Sequence, residues 1–458
     1  MADEPAMPPA VPPAAGPAAA EASEVSGSPA AAGAPMTVPA PRAKYLVFVV
    51  VDGGRTDYWM RFNTPTMMAL AAKGVFVDAA HTIFPSNTTV AMTSLITGAY
   101  PATHSIPSTI YYDPDTSSRI NGPRHNTAET LAEAFTKAGL STAAVQYFVL
   151  QGRGAQVYFE PNDTGAITDL AAGLIRGGTP NLTAIIYNET DSIGHEFGPD
   201  SPEIAAAIEK VDRQLGALVG ALKDAGIFDQ TVIVVTADHG MSPIRVNLTP
   251  AVEEAFKEIS EEERLSIAYA TDTLGAPRDV PLPNGLELVG FVEDPDVVWL
   301  RLFTIAQITF RHPLTPEQEA RFSNRLREIP GVAEVLNRDQ IRARHGHPKL
   351  GDLVVVAAPG YGFARSRGGH GGLYEQEVPI LIEGPGIRKE LRLSGIYRAV
   401  PVPGSNSKGA GEQGNMDDPG ASLRVQTIDL VPTLLHLFRL PIPATVDGRV
   451  LKEVLAGD

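Results

Sequence analysis

Six residues, Asp52, Asp191, His195, Asp238, His239 and His370, mostly follow short apolar runs or sit in glycine-flanked turns. Three carboxylates and three imidazoles suffice to hold two Zn²⁺ ions, and Mn²⁺ is the alternative that the same oxygen and nitrogen donors admit. Thr88 follows the turn FPSN and opens a helical pattern. Unpaired backbone N–H groups and the helix dipole favour an alkoxide or a phosphoryl oxygen at such a start. A hydroxyl is a poor nucleophile at neutral pH, and coordination to a divalent cation removes its proton. The set therefore suits attack by Thr88 on phosphorus.

Each element alone has a plainer reading. A threonine at a helix start is ordinarily an N-cap. Asp191 and His195, in DSIGHEFGP, lie four apart, on one side of a helical turn, yet a capping aspartate and a surface histidine would look the same. Asp238 and His239, in TADHGM, would face opposite ways within a strand but converge in a turn. His370, in RSRGGHGGLYEQEVP, has a backbone that can approach a ligand closely or simply flex. Joint occurrence at one sheet rim favours a metal centre. His345 and His347, in RARHGHP, read as a mobile basic loop, and His104, in PATHSI, as a structural hydrogen-bonding residue.

The elements that must position these residues follow βαβ grammar. Extended runs at 45–51, 75–84, 141–145, 182–187 and 231–235 alternate with helical patterns at 64–73, 127–138, 167–175 and 201–225. This predicts an α/β fold with a mostly parallel sheet sandwiched by helices. Asp52, Asp191 and Asp238 follow three of the runs, so distant parts of the chain can place carboxylates at one rim. Residues 245–350 break the rhythm and read as an inserted α+β cap region within a catalytic domain spanning 44–458. Core grammar resumes at 351–358, and a helix closes the pattern at 427–438. Residues 1–43 are Ala/Pro-rich and read as a disordered tail.

The chain has 458 residues and no cysteine, which excludes disulfides and thiolate ligands. A net charge of −16 argues against a nucleic-acid-binding surface. An anionic substrate then needs a local positive centre, which two divalent cations supply. No apolar run is long enough to span a bilayer, and the acidic, Ala/Pro-rich start does not read as a signal peptide.

The segments VVVDGGR, FPSNTTVAMTSLITGAYPATHSI, ETDSIGHEFGP, VVTADHGM, GGHGG and TIDLVPTLLHLFRLPIPATVDGRVL resemble the alkaline phosphatase superfamily, most of all its nucleotide pyrophosphatase/phosphodiesterase branch. The resemblance covers most of residues 44–451 and implies an alkaline-phosphatase-like fold. It further implies that Asp52, Asp238 and His239 hold one Zn²⁺ that also binds Thr88, and that Asp191, His195 and His370 hold the other. Thr88 would attack phosphorus, and water would cleave the phospho-threonine intermediate. Export to the periplasm or outside the cell is common in such enzymes.

Several positions depart from that pattern. Thr109, in HSIPSTIYYDP, stands where related phosphodiesterases place an asparagine on a phosphoryl oxygen, and Thr89 stands where an aromatic often follows the nucleophile. Tyr111, Tyr112, Tyr147 and Phe148 supply stacking or belong to the core. AAVQYFVLQGRGAQ offers Arg153 but lacks the lysine of monoesterase relatives, which favours a singly charged diester. The expected partner is a small-molecule phosphate ester; a phosphomonoesterase and a non-catalytic binding protein remain the alternatives. Neither the physiological substrate nor the oligomeric state is legible.

Overall fold

The apolar run YLVFVVV forms the strand Tyr45–Val51, which lies inside an eight-stranded sheet. Its side chains serve two cores: Leu46, Phe48 and Val50 enter one, and Val47, Val49 and Val51 enter the other. Burial on both faces explains why the run does not alternate with polar residues. This computed structural model describes residues 43–115, 118–121, 126–161, 163–270, 295–393 and 424–457. The tail expected at 1–43 lies outside them except for its last residue, Ala43, which is buried in the core instead.

In spatial order the sheet runs Leu391–Leu393, Val75–His81, Glu377–Glu383, Thr231–Thr236, Tyr45–Val51, Leu182–Tyr187, Thr142–Val145, Val157–Phe159. Tyr45–Val51 pairs in parallel with both neighbours, Val51 opposite Tyr187 and Val50 opposite Thr236. Three carboxyl ends therefore stop at one rim, as the alternation of runs and helices predicts. Glu377–Glu383 is antiparallel to both of its neighbours, so the sheet is mostly parallel.

Helices cover both faces. Pro202–Asp224 starts at Ser201, whose hydroxyl accepts from Ile204 N–H, and buries Ile204, Ile208, Val211, Leu215, Leu218 and Leu222 along one side. Asp212 on that side is buried too, and its carboxylate accepts from the N–H groups of Thr66 and Met67 at the start of the helix Pro65–Ala71. On the other face Thr88–Thr97 buries every residue except Thr88, its first. No helix among the described residues is long and apolar enough to cross a membrane.

A second, five-stranded sheet runs Ile267–Ala270, Val297–Leu302, Ile305–Phe310, Leu353–Ala357, Val332–Asn337 in spatial order. Helices Thr249–Glu263 and Pro316–Arg327 pack on it through Val252, Phe256, Phe322 and Leu326. Leu353–Ala357, read in sequence as the return of the main sheet, pairs instead with Ile305–Phe310 and Val332–Asn337. A short run such as LVVVA fits either sheet, so its hydrophobicity does not decide its partner. Residues 271–294 of the expected insertion lie outside the described residues.

Candidate metal centre

Asp52 follows directly on the first strand, and its N–H donates to Tyr187 O at 2.8 Å. Gly53 then turns the chain at φ +68°, and its N–H donates to Asp238 Oδ1 at 3.2 Å. A Cβ on Gly53 would stand 3.1 Å from Asp191 Cα, so a glycine is required where the three acidic segments converge. Helix Glu189–Phe197 carries Asp191 and His195 on one side, with His195 Nε2 3.3 Å from Asp191 Oδ1. Asp238 and His239 lie in the turn beyond Thr231–Thr236 and do converge: His239 Nε2 is 3.2 Å from Asp238 Oδ2 and 3.4 Å from Asp52 Oδ1. His370 Nε2 lies 3.5 Å from Asp191 Oδ1. Two groups result, Asp52/Asp238/His239 and Asp191/His195/His370, each with donor atoms within 4.8 Å of one another. Thr88 Oγ1 lies 3.1 Å from His239 Nε2.

The side chains fit cations. The Nδ1 atoms of His195, His239 and His370 face the carbonyls of Gly368, Gly240 and Ser86 at 2.9, 2.9 and 3.1 Å. A carbonyl only accepts, so each Nδ1 carries a proton and each Nε2 is the ring nitrogen turned toward the carboxylates, able to ligate a cation when the ring is neutral. One buried oxygen of each aspartate, Asp52 Oδ1, Asp191 Oδ1 and Asp238 Oδ2, has no hydrogen-bond donor. Buried carboxylate oxygens of that kind call for a positive partner. Among the side chains themselves, burial, then the charges of Asp238 and Asp191, push the Asp52 carboxyl well above its usual range. Burial and Asp191 push Asp238 up to about 6 against the opposing pull of His239. Burial would raise Asp191 as well, but His195, His370 and His239 hold it below its ordinary value. Burial, then His239, keeps His370 neutral.

The start of the Thr88 helix is held by Ser86 and Asn87, which the sequence did not single out, together with Thr109 and Thr89, which it did. Asn87 Oδ1 accepts from Thr109 N–H (3.2 Å) and from the Thr109 hydroxyl (2.9 Å), and Thr89 N–H reaches Thr109 Oγ1 at 3.4 Å. Ser86 clamps the His370 loop through its carbonyl and through its hydroxyl, which donates to Gly372 O at 2.7 Å. Glu375 is fully buried, accepts from Thr304 Oγ1 and Gly372 N–H, and is pushed up chiefly by burial.

Two of the glycines around His370 make room for the protein itself. A Cβ on Gly368 would stand 2.4 Å from Gly194 O, and one on Gly369 2.7 Å from Ile244 Cδ1. Tyr147 is core, donating its hydroxyl to Met92 O, and Phe148 packs against the same cluster. Arg153 binds Glu133 at 2.7 Å and the carbonyls of Asn126 and Ala128. His104 is the structural residue expected, buried between Ser94 Oγ and Ile106 N–H. The 345–347 loop is better anchored than its sequence suggests: His345 stacks on Tyr100 at 4.0 Å, and His347 Nδ1 accepts from Lys349 N–H.

Comparison with known proteins adds the family. Aligned over 221 residues, the chain is 29% identical to an uncharacterised pyrophosphatase/phosphodiesterase of Schizosaccharomyces pombe, covering 44% of this chain and 46% of that protein. It is 26% identical to a bis(5'-adenosyl)-triphosphatase of Xenopus laevis over 43% of this chain and 47% of that one. The chain thus spans about half the length of these curated relatives. Murine ectonucleotide pyrophosphatase/phosphodiesterase 5, solved as an inactive variant in complex with AMP, shares the fold. Its TM-score is 0.63 at 20% identity, over 90% of this chain and 100% of the solved one. The model of type I phosphodiesterases/nucleotide pyrophosphatases matches residues 46–379, and the chain belongs to that family.

Proposed function

We propose that the protein is a zinc-dependent phosphodiesterase of the nucleotide pyrophosphatase type that works through a phospho-threonine at Thr88. The observation that carries this reading is the position of Thr88 Oγ1, 3.1 Å from His239 Nε2 at the partly exposed end of an otherwise buried helix. Asp52, Asp238 and His239 would hold one cation next to Thr88, and Asp191, His195 and His370 the other. Bound divalent ions supply positive charge to phosphoryl oxygens and acidity to a hydroxyl or water.

The chain's own groups divide the remaining work. Thr88 Oγ loses its proton and bonds to phosphorus as the alcohol or phosphate leaving group departs; water then breaks that bond and restores the hydroxyl. The first turn of the helix offers backbone N–H groups to the phosphoryl oxygens. Thr109 turns its hydroxyl proton from Asn87 Oδ1 to a substrate oxygen, an inexpensive exchange because Asn87 Oδ1 keeps Thr109 N–H. Arg153 is committed to Glu133, which supports a singly charged diester over a dianionic monoester. The five-stranded sheet would form the cap region inserted in the catalytic domain. The names of the relatives, a bis(5'-adenosyl)-triphosphatase and ectonucleotide enzymes, support a nucleotide-type small-molecule substrate and a location outside the cell.

Purified protein is expected to cleave bis-p-nitrophenyl phosphate, to lose that activity with a chelator and to regain it with Zn²⁺. Turnover of p-nitrophenyl phosphate at an equal or higher rate would assign a monoesterase instead. Full metal loading with turnover of neither ester would assign a binding protein.

A further inference from the structure

The turn between Val297–Leu302 and Ile305–Phe310 consists of two residues, Phe303 and Thr304, and it reaches from the five-stranded sheet to the metal-ligand loop. Two-residue hairpin turns take Gly or Asn where φ is positive, yet Phe303 sits there at φ 22°. A bulky ring kept against local preference points to work done by the ring.

That ring lies on the His195 imidazole, with centroids 3.9 Å apart and planes 21° apart. It is also 5.2 Å from the His370 ring at 30°. Thr304 grips the same loop: its N–H donates to His370 O at 3.4 Å, and its hydroxyl accepts from Gly372 N–H and donates to Glu375 Oε2, both at 3.0 Å. Gly369 permits the approach, since a Cβ there would stand 2.8 Å from Phe303 Cβ. Each histidine already has Nδ1 tied to a carbonyl, which leaves the tilt of the ring about that bond. A flat aromatic face against the imidazole removes that freedom and keeps Nε2 aimed at Asp191.

We infer that the turn Phe303–Thr304 is a positioning element for the Asp191–His195–His370 group, so that the second sheet sets how tightly this group retains its metal. The bonds from Asp52 N–H to Tyr187 O, from Gly53 N–H to Asp238 Oδ1 and between His239 Nδ1 and Gly240 O involve neither residue of the turn, and His239 meets the second group through its stack on His370. The inference rests on the two-metal reading above and goes beyond it, by assigning the second sheet a role in metal retention.

The test uses full-length protein loaded with Zn²⁺, equilibrated against a graded chelator series, with bound zinc counted by mass spectrometry and folding followed by circular dichroism. In Phe303→Ala, and in Phe303→Leu, which keeps bulk without a flat face, one zinc equivalent is expected to leave at about 10- to 100-fold lower chelator concentration. The other equivalent should leave as in the wild type, and Phe303→Tyr should restore the wild-type curve. Folded Phe303→Leu protein that retains both equivalents like the wild type, or loses both together, would overturn the inference while leaving the two-metal reading intact. Wild-type protein that binds fewer than two equivalents would overturn that reading, and the inference with it.

Discussion

The imidazoles of His239 and His370 stack face to face, with centroids 3.6 Å apart and planes 10° apart, although they belong to different groups of metal donors. The two groups therefore share a wall and lie next to each other at the rim. Two-metal phosphoesterase sites hold their ions about 3.5–4 Å apart, a span that one phosphoryl group bridges. Adjacent donor groups with Thr88 beside one of them suit in-line displacement at a single phosphorus.

Removing the proposed nucleophile should separate chemistry from metal binding. Thr88→Ala is expected to lower kcat on a diester on the order of 10³-fold or more, with two zinc equivalents retained. Acid-quenched wild-type protein should carry phosphate on Thr88 in peptide mass spectra. Label recovered on any other residue would count against the mechanism.

At Thr109 the effect should be smaller. Thr109→Val deletes the hydroxyl but keeps the N–H bond to Asn87. One lost hydrogen bond of about 1.4 kcal/mol corresponds to a roughly tenfold fall in kcat/KM. Thr109→Asn should keep diester turnover near the wild-type value. Unchanged steady-state constants in the valine variant would remove Thr109 from the substrate contacts.

Arg153→Ala tests whether that guanidinium touches substrate. Because it holds Glu133 and two carbonyls, the variant should lose about 1–3 kcal/mol of stability in urea unfolding. Its ratio of monoester to diester turnover should not move. A shifted ratio would put the cation on the phosphate.

His104 should give the fold an acid limb. Burial keeps its imidazole neutral, lowering the pKa to about 3 from an unfolded value of about 6.5. Between those values the unfolded chain binds the proton that the native state refuses, so stability falls as pH falls through this window. The loss between pH 7 and pH 5 is about 2 kcal/mol from this residue. His104→Gln, compared with wild type by urea midpoint at both pH values, should show a flatter dependence. Parallel slopes in the two proteins would refute the assignment.

Legibility followed the range of the contacts. Asp191 and His195 could be paired from sequence because four residues on a helix fix a shared side. Asp52 and Asp238 could be placed because each follows an apolar run and parallel strands end at one rim. Ser86, Asn87, Phe303 and Glu375 gave no such signal. Their partners are set by the fold: Ser86 meets His370 across 284 positions and Glu375 meets Thr304 across 71. The strand Leu353–Ala357 was misplaced for the same reason, since its apolar side chains record burial and not the neighbour they are buried against.

By itself the sequence determined the donor types, the candidate nucleophile and the alternation of strand and helix, because these depend on side-chain chemistry and on local periodicity. The resemblance already implied how the six donors divide into two groups; only the tertiary structure brought each group's atoms together, decided which backbone carbonyls fix the imidazoles, and laid a turn of the second sheet against His195. Those relationships arise when segments hundreds of residues apart pack together, and close packing, unlike periodicity, leaves no repeat in the chain to read.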